Sequence, residues 1–115
     1  MITLEDFKKL DIRIGKVISA ERIPDSDKLI KFIFDIGGEQ RQILAGIAEF
    51  FPDLEILIGK EMPLLLNIEP RKLRGYMSEG MVMAVDSAGS PQADSENGPV
   101  LLCPEKEVPP GSLVK

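Results

Sequence analysis

The feature that most constrains the fold of this chain is an alternating stretch, residues 29–36, followed at once by two glycines. Every second position of the stretch carries a large apolar side chain: Ile30, Phe32, Phe34 and Ile36. Such alternation is typical of a β-strand with one buried face. Gly37 and Gly38 readily adopt the positive φ angles of a two-residue hairpin turn. The pattern therefore predicts a β-hairpin whose second strand lies within residues 39–47.

The residues before this hairpin predict a short helix and then a long, irregular strand. Thr3 can cap a helix, with Asp6 at the capping-box position. Residues 11–22 then alternate like a strand, but the parity of the apolar positions changes at Gly15 and Lys16. A glycine at such a change indicates a β-bulge, which lets the first strand of a small barrel curve.

Three segments after the hairpin complete the pattern. Residues 48–59 have helical spacing that Pro52 interrupts and Gly59 ends. Two short apolar strands follow, at residues 62–68 and 81–85. Five short strands with a helical segment between the third and the fourth match the five-stranded Greek-key OB barrel. We therefore predict an all-β fold with minor helix, in which an OB-fold barrel has an N-terminal helix and a C-terminal extension.

One domain is expected to span the whole chain. A chain of 115 residues is large enough to bury roughly two-thirds of the surface that its unfolded form exposes. The predicted barrel occupies residues 8–86 and leaves residues 87–115 as the extension.

The composition excludes several kinds of site. The chain has no histidine and a single cysteine, Cys103, which excludes an internal disulfide and a multi-thiolate zinc site. The commonest general base is missing as well. We therefore expect no enzymatic activity, no metal and no cofactor. Glu5 and Asp6 lie where a signal peptide would be apolar, and no apolar run could span a membrane, so we expect a cytoplasmic protein.

The net charge of −5 argues at first against a nucleic-acid partner. The acidity is concentrated at the ends, since residues 1–7 contribute −2 and residues 86–115 contribute −3. Residues 8–85 carry twelve cations and twelve anions and are neutral. A local cationic surface can therefore still form.

A basic segment, residues 67–81, is the strongest functional signal. It holds three cations within four positions, Arg71, Lys72 and Arg74, between a proline and a glycine. Such cations bind phosphates, and arginines also stack on bases. Other side chains of the segment that can contact an unstacked nucleotide are Asn67, Tyr76, Ser78 and Met81. The combination favours single-stranded or looped RNA over a duplex. The alternative is a solvated turn whose charges only keep it in water.

Two further cations are candidate contacts. Arg41 lies on the predicted third strand, and OB barrels bind ligands on the face of strands two and three. An ion pair of Arg41 with Glu39 or Asp35 is the alternative. Lys28 follows the acidic turn at residues 25–27, where the carboxylates are expected to cap the turn, and it can add a phosphate contact at the barrel rim.

Four motifs together resemble the tRNA-binding domain family. They are residues 11–17 (DIRIGKV), 25–29 (DSDKL), 41–47 (RQILAGI) and 67–81. The family includes the C-terminal domain of bacterial methionyl-tRNA synthetase, free-standing tRNA-binding proteins and the endothelial-monocyte-activating polypeptide. The resemblance covers nearly the whole chain. It implies an OB-fold that binds tRNA by shape and backbone, without sequence-specific readout, and that assists an aminoacyl-tRNA synthetase, methionyl-tRNA synthetase above all, in cis or in trans.

Position by position, the resemblance implies a binding surface and a dimer. The implied tRNA contacts are Asn67, Arg71, Lys72, Arg74, Ser78 and Met81, on a barrel rim that includes Lys28 and Arg41. Bacterial relatives are similar in being homodimers built through segments outside the barrel, which gives residues 87–115 a role. The chain departs from the family at Ile23, where a histidine often precedes the proline, so any polar role of that histidine is absent.

Two alternative functions stay open. A homodimerisation or assembly module would hold synthetase chains together without touching RNA. The export chaperone CsaA shares the fold and the dimer, but it lacks the Asp-Lys-Leu and Ala-Gly-Ile pieces that occur here at residues 27–29 and 45–47.

Overall fold

The alternating stretch forms the central strand of the protein. A computed structural model describes residues 1–85 and 98–115. The side chains of Ile30, Phe32 and Phe34 are fully buried. The elements are a helix, α1 (Leu4–Phe7), and nine strands: β1 (Ile12–Arg22), β2 (Ile30–Asp35), β3 (Gln40–Ala45), β4 (Glu61–Leu65), β5 (Arg71–Leu73), β6 (Tyr76–Ser78), β7 (Met81–Val82), β8 (Ala84–Val85) and β9 (Val100–Leu101), all of them within the described residues.

Five of these strands form one antiparallel sheet in the order β3-β2-β1-β4-β7. The edge strands β3 and β7 contact each other, so the sheet curls into a nearly closed barrel. β1 pairs with β4 through its first half and with β2 through its second half. The apolar faces meet inside the barrel, and the largest fully buried side chains are Val17, Ile30, Phe32, Phe34, Ile43, Leu57, Met62 and Leu64. The predicted five-stranded OB barrel is confirmed.

The predicted two-residue hairpin turn is also confirmed. Gly37 and Gly38 have φ angles of 78° and 90°. The N–H of Ile36 donates to the carbonyl of Glu39 over 3.0 Å and closes the turn. Positive φ at both central residues matches the twist of the flanking strands, which is why β2 and β3 pair in register from one end to the other.

The bulge in β1 lies elsewhere than predicted. The register against β2 shifts between Val17 and Ser19, not at Gly15. Gly15 instead allows close packing, because a Cβ at this position would clash with Cδ1 of the buried Leu64 and lie 3.2 Å from the ring of Phe34. The parity change in the sequence therefore reflects a tight interior contact followed by a bulge three residues later.

The region between β3 and β4 is less helical than predicted. It contains two short 3-10 turns, Ala48–Phe50 and Leu54–Leu57, on either side of Pro52. The Asp53 carboxylate accepts the N–H of Glu55 over 3.0 Å and begins the second turn. A proline in the middle of the segment prevents one continuous helix.

The N-terminal capping box is confirmed. The N–H of Asp6 donates to Oγ1 of Thr3 over 3.2 Å, and the N–H of Thr3 donates to Oδ2 of Asp6 over 3.1 Å. The cap satisfies N–H groups that a helix of four residues would otherwise leave without partners.

The same contact predicts how the cap responds to pH. The pKa of Asp6 lies below its ordinary value of 3.8, first because the backbone N–H of Thr3 hydrogen-bonds to the carboxylate and then because of the Thr3 side chain. The cap should be intact above pH 3.8 and should be lost as the pH falls through the lowered pKa. We expect the Thr3 amide chemical shift to change only in this acid range, and an Asp6→Asn variant to lose that transition.

Residues 108–114, which we call the C-terminal segment, pack against the first half of β1. The N–H of Gly111 donates to the carbonyl of Ile14 over 2.7 Å, and the N–H of Val114 donates to the carbonyl of Ile12 over 2.9 Å. This half of β1 pairs with β4 on one edge, so the segment covers the other edge. Part of the predicted extension is thus attached to the barrel of its own chain, while residues 86–97 lie outside the described residues. The extension's predicted role in dimerisation stays a prediction.

Within the described ranges, no helix is long and apolar enough to cross a membrane.

Candidate nucleic-acid interface

The basic segment of the sequence folds as a small hairpin. β5 and β6 pair antiparallel, with Arg71 opposite Ser78. The turn consists of Arg74 and Gly75, whose φ angles are 51° and 87°. Both angles lie in the left-handed region that a tight two-residue hairpin turn requires. We call residues 71–78 the cationic hairpin.

Sequence reasoning predicted a loop here and missed the two strands. They are three residues long each, and Arg74 occupies a turn position where Asn, Asp or Gly is usual. The available signal was the pair of apolar residues, Leu73 and Tyr76, that flank a turn containing glycine.

The cations of the hairpin, Arg71, Lys72 and Arg74, are exposed and have no carboxylate partner among the described residues. Some cations elsewhere on the barrel do have a carboxylate partner: Arg13 Nε lies 2.8 Å from Oδ1 of Asp11, for example. Because its charges are adjacent and unpaired, the hairpin creates a local positive potential on an acidic chain. Phosphate groups are the ligands that such a cluster suits.

Ser78 attaches the hairpin to the barrel. Its Oγ accepts the N–H of Leu44 over 3.0 Å and donates to the carbonyl of Gly80 over 3.2 Å. The residue is only 5% exposed. Its predicted contact with RNA stays a prediction, and its observed contacts position the hairpin against β3.

Arg41 and Gln42 make further attachments between β3 and the segment around the hairpin. Arg41 Nη1 donates to the carbonyl of Leu66 over 2.8 Å, and its Nη2 lies 3.6 Å from Glu39. The ion pair with Glu39, the alternative raised from the sequence, is therefore observed. Gln42 Nε2 donates to the carbonyl of Met77 over 3.0 Å. These bonds hold the base of the hairpin in one orientation.

Asn67 is also engaged with the protein backbone. Its Oδ1 accepts the N–H of Asp11 over 2.8 Å, and its Nδ2 donates to the carbonyl of Lys9 over 2.7 Å. The side chain thus connects the end of β4 to the start of β1. Its predicted reading of a base edge stays a prediction.

Replacing Ser78 by alanine should show whether this residue positions the hairpin against β3. The change leaves the buried N–H of Leu44 without its partner, at a cost of about 1–3 kcal/mol in the free energy of unfolding. Chemical denaturation measures this loss. As a control, Ser112→Ala removes a serine hydroxyl on the exposed C-terminal segment that donates to Pro109 over 2.6 Å, and it should cost less. Equal losses would contradict the positioning role of Ser78.

Two more lysines lie in or just before β2: Lys31, which contacts the hairpin, and the candidate Lys28. Lys31 Nζ lies 5.1 Å from the ring centroid of Tyr76, a cation–π contact, and 3.6 Å from Oε2 of Glu21. Lys28 is exposed just before β2, and its side chain forms no ion pair with the described residues. The carbonyl of Lys28 accepts the N–H of Ala48 over 2.8 Å, which fixes the backbone there.

An apolar groove opens beside the hairpin, where the edges of β3 and β7 meet. It has a volume of about 360 Å³, and a cleft of about 60 Å³ continues it beneath the hairpin. Four residues line both parts: Leu44, Arg71, Leu73 and Met81. We call the two parts together the seam groove. Met81, a predicted contact, forms part of its wall and is 45% exposed.

The described residues include no group of three or more His, Cys, Asp or Glu side chains arranged to hold a metal ion.

The architecture defines a class of protein, an OB barrel that carries a cationic hairpin beside an apolar groove. The chain belongs to the tRNA-binding domain family, because residues 12–113 match the family model named "Putative tRNA binding domain". It is 50% identical over 113 residues to the methionine–tRNA ligase of Archaeoglobus fulgidus and 42% identical over 113 residues to that of Thermotoga maritima. Each match covers 98% of this chain but 16% of the relative, so the chain spans about a sixth of their length.

Solved structures agree with this assignment. A protein from Pyrococcus horikoshii described as MetRS-related superimposes with a TM-score of 0.85 at 33% identity, over 100% of this chain and 98% of the other. The chaperone CsaA of Bacillus anthracis superimposes with a TM-score of 0.80 at 33% identity, over 100% of this chain and 99% of the other. The resemblance inferred from the four motifs is confirmed.

Proposed function

We propose that this chain is a non-catalytic module that binds the outside of tRNA and assists methionyl-tRNA synthetase, in cis or in trans. The observation that carries the proposal is the cluster of exposed cations on the cationic hairpin, which form no ion pair with the residues that the structure describes. The identity to segments of methionine–tRNA ligases supports the link to a synthetase.

Recognition by this surface is general rather than sequence-specific. Arg71, Lys72 and Arg74 engage phosphates, and phosphate contacts orient a nucleic acid without reading its sequence. Ser78 accepts a hydrogen bond from Leu44 and Gln42 donates one to Met77, while Arg41 donates to Leu66 just before the hairpin. These bonds hold the hairpin in place, so little ordering is needed on binding. Such preorganisation raises the affinity that a few cations can provide.

A salt titration tests the proposal. Unfractionated tRNA is titrated into the protein at two salt concentrations, with a DNA duplex of equal length as the control. Three neutralised phosphates give a slope of log affinity against log salt of about −2 to −3. We expect this slope with tRNA and much weaker binding to DNA. No binding to tRNA at low salt would contradict the proposal.

We further propose that two copies of the chain associate through an exposed apolar surface. α1 and the C-terminal segment together form a groove of about 380 Å³. Leu4 and Leu113 on its walls are 67% and 55% exposed, and burial of such side chains drives association. A dimer presents two cationic hairpins to one tRNA and raises their effective concentration. This supports the extension's role predicted from the family.

Point substitution tests the dimer better than truncation, because removing residues 87–115 would also remove the segment that pairs with β1. We expect Leu113→Asp to convert the protein to a monomer in analytical ultracentrifugation. The matched control is Ile56→Asp, which should leave the dimer intact. Ile56 is exposed to the same degree as Leu113 but lies on the second 3-10 turn. A monomeric parent protein, or a Leu113→Asp variant that remains dimeric, would disprove this surface as the interface.

A second candidate function is a peptide-binding chaperone. The likeness to CsaA over almost the full length of both chains favours it. It predicts that the protein suppresses aggregation of an unfolded client and that tRNA does not compete with the client. An assembly module, the remaining alternative, predicts dimerisation without any binding of tRNA.

A further inference from the structure

The seam groove lies beside the outer edge of β3, where the two edges of the barrel meet. β3 and β7 are the two ends of the five-strand order. On its outer edge, β3 bonds to the end of the hairpin and the residue after it: the carbonyl of Gln42 accepts the N–H of Glu79 over 2.9 Å, and the N–H of Leu44 donates to Oγ of Ser78 over 3.0 Å. The groove lies beside Leu44 and the residues that follow it, Ala45, Gly46 and Ile47.

The lining of the groove is mostly apolar, although Glu69 lines the smaller cleft beneath the hairpin. Four residues line both parts, and one of them is charged. Those residues are Leu44, Leu73, Met81 and the cation Arg71. The hydroxyl of Ser78, at the inner end, is already engaged on both sides by the protein. The groove therefore offers apolar contact to a ligand and little directional hydrogen bonding from side chains.

The volume of the groove and the cations beside it restrict the kind of ligand that the groove can bind. About 360 Å³ is at the lower end of the range of roughly 300–1,000 Å³ that small ligands and planar groups occupy. Arg71 lines the groove, and Lys72 and Arg74 lie on the same hairpin. A planar, apolar group attached to a polyanion is complementary to this arrangement, and an unstacked base of RNA has that chemistry.

We propose that the seam groove receives one unstacked base of the bound RNA, while Arg71 and Lys72 hold the flanking phosphates. The inference rests on the proposed function and adds the kind of RNA that the site takes: loops and single-stranded ends, not continuous duplex. Any base is accepted, because contact with Leu73 and Met81 is not directional. An extended peptide could also add to the open edge of β3, but the cations of the hairpin favour a polyanion.

The test uses the full chain and two ligands of equal charge. One is a single-stranded oligoribonucleotide of twelve nucleotides, and the other is the same ribose-phosphate chain without bases. We expect the intact oligonucleotide to bind about tenfold more tightly, with equal salt slopes, since both ligands carry the same phosphates. Met81→Ser should lower the affinity for the intact ligand to that of the abasic ligand and leave the abasic affinity unchanged.

A matched control for Met81 exists nearby, on β6 of the cationic hairpin. Met77 is 44% exposed, almost the same as Met81, but it does not line the seam groove. Met77→Ser should therefore leave both affinities unchanged. Because both methionines are exposed, thermal melting should show that both variants remain folded.

The outcomes separate the two proposals. Equal binding of intact and abasic ligands, or equal effects of the two serine variants, would overturn the base-binding role while tRNA binding stands. Loss of binding to every RNA at low salt would overturn both. Tight binding of an extended apolar peptide that Met81→Ser weakens, without any effect of that variant on RNA, would assign the groove to a polypeptide and overturn the inference.

Discussion

Replacing Lys72 by glutamate weakens tRNA binding by about 10- to 100-fold, the equivalent of one charge-assisted contact of about 1.5–3 kcal/mol. Lys72 is exposed and forms no ion pair with the described residues, so its charge is free for phosphate and its replacement disturbs no observed contact. The slope of log affinity against log salt should become less negative by about 1. Thermal stability should be nearly unchanged. Fluorescence titration at two salt concentrations measures both effects.

Lys60→Glu is the matched control. Lys60 is exposed, has no carboxylate partner in the described residues and lies at the start of β4, away from the hairpin. The variant changes the net charge by the same amount. A purely global effect of charge would weaken binding equally in both variants and would contradict a hairpin site.

Arg74→Gly provides a companion variant in which stability and binding change in opposite directions. Arg74 has a φ of 51°, a conformation that costs a non-glycine residue about 1 kcal/mol or more. Glycine removes this strain and the charge together. We expect a slightly more stable protein that binds tRNA more weakly, which a disrupted hairpin could not produce.

Replacing Gly111 by alanine lowers the free energy of unfolding by about 2–4 kcal/mol. Gly111 has a φ of 90°, and a Cβ there would clash with the carbonyl oxygen of Ile36 and lie 3.0 Å from its carbon. These are backbone atoms at the end of β2, so they cannot move aside as a flexible side chain could. The strain should detach the C-terminal segment from β1. Chemical denaturation and hydrogen exchange at the N–H of Ile14, which donates to Ser112 over 2.9 Å, measure the two consequences.

The Gly38→Ala variant separates the cost of the steric clash with Ile36 from the cost of the left-handed backbone conformation. Gly38 has the same φ of 90°, but a Cβ there would meet nothing within 4 Å. Its alanine variant carries only the cost of the left-handed backbone, about 1 kcal/mol. The difference between the two variants measures the steric contact with Ile36. If both variants lose the same stability, close packing of the C-terminal segment is not what requires glycine at position 111.

The core of the barrel was predictable because its signals are local. Alternation at Ile30, Phe32 and Phe34 places one face inward wherever the strand lies, and two successive glycines define a tight turn by their own backbone freedom. The capping box of Thr3 and Asp6 likewise depends on residues three positions apart. In each case, the chain segment contains the physical cause of its own conformation.

The bulge was misplaced, and the strands of the cationic hairpin were missed, because the causes of both features are not local. Gly15 is required by the side chain of Leu64, a neighbour that only the paired sheet provides. The strands of the cationic hairpin are too short to show periodicity, and they are held by β3 through the Ser78 hydroxyl. Isolated from the barrel, such a short ribbon would be marginal at best.

The same distinction applies to the candidate site. Sequence alone determined that the chain is a five-stranded barrel and that three clustered cations lie between its last strands. Alternation, turn residues and charge clusters each depend on residues that are close together in the sequence. Only the tertiary structure decided the roles of Asn67, Ser78 and Arg41, whose backbone partners are 58, 34 and 25 positions away. It also decided where the seam groove opens. A polar side chain satisfies whichever backbone group folding brings within about 3 Å, and that neighbour is a property of the closed barrel rather than of the segment.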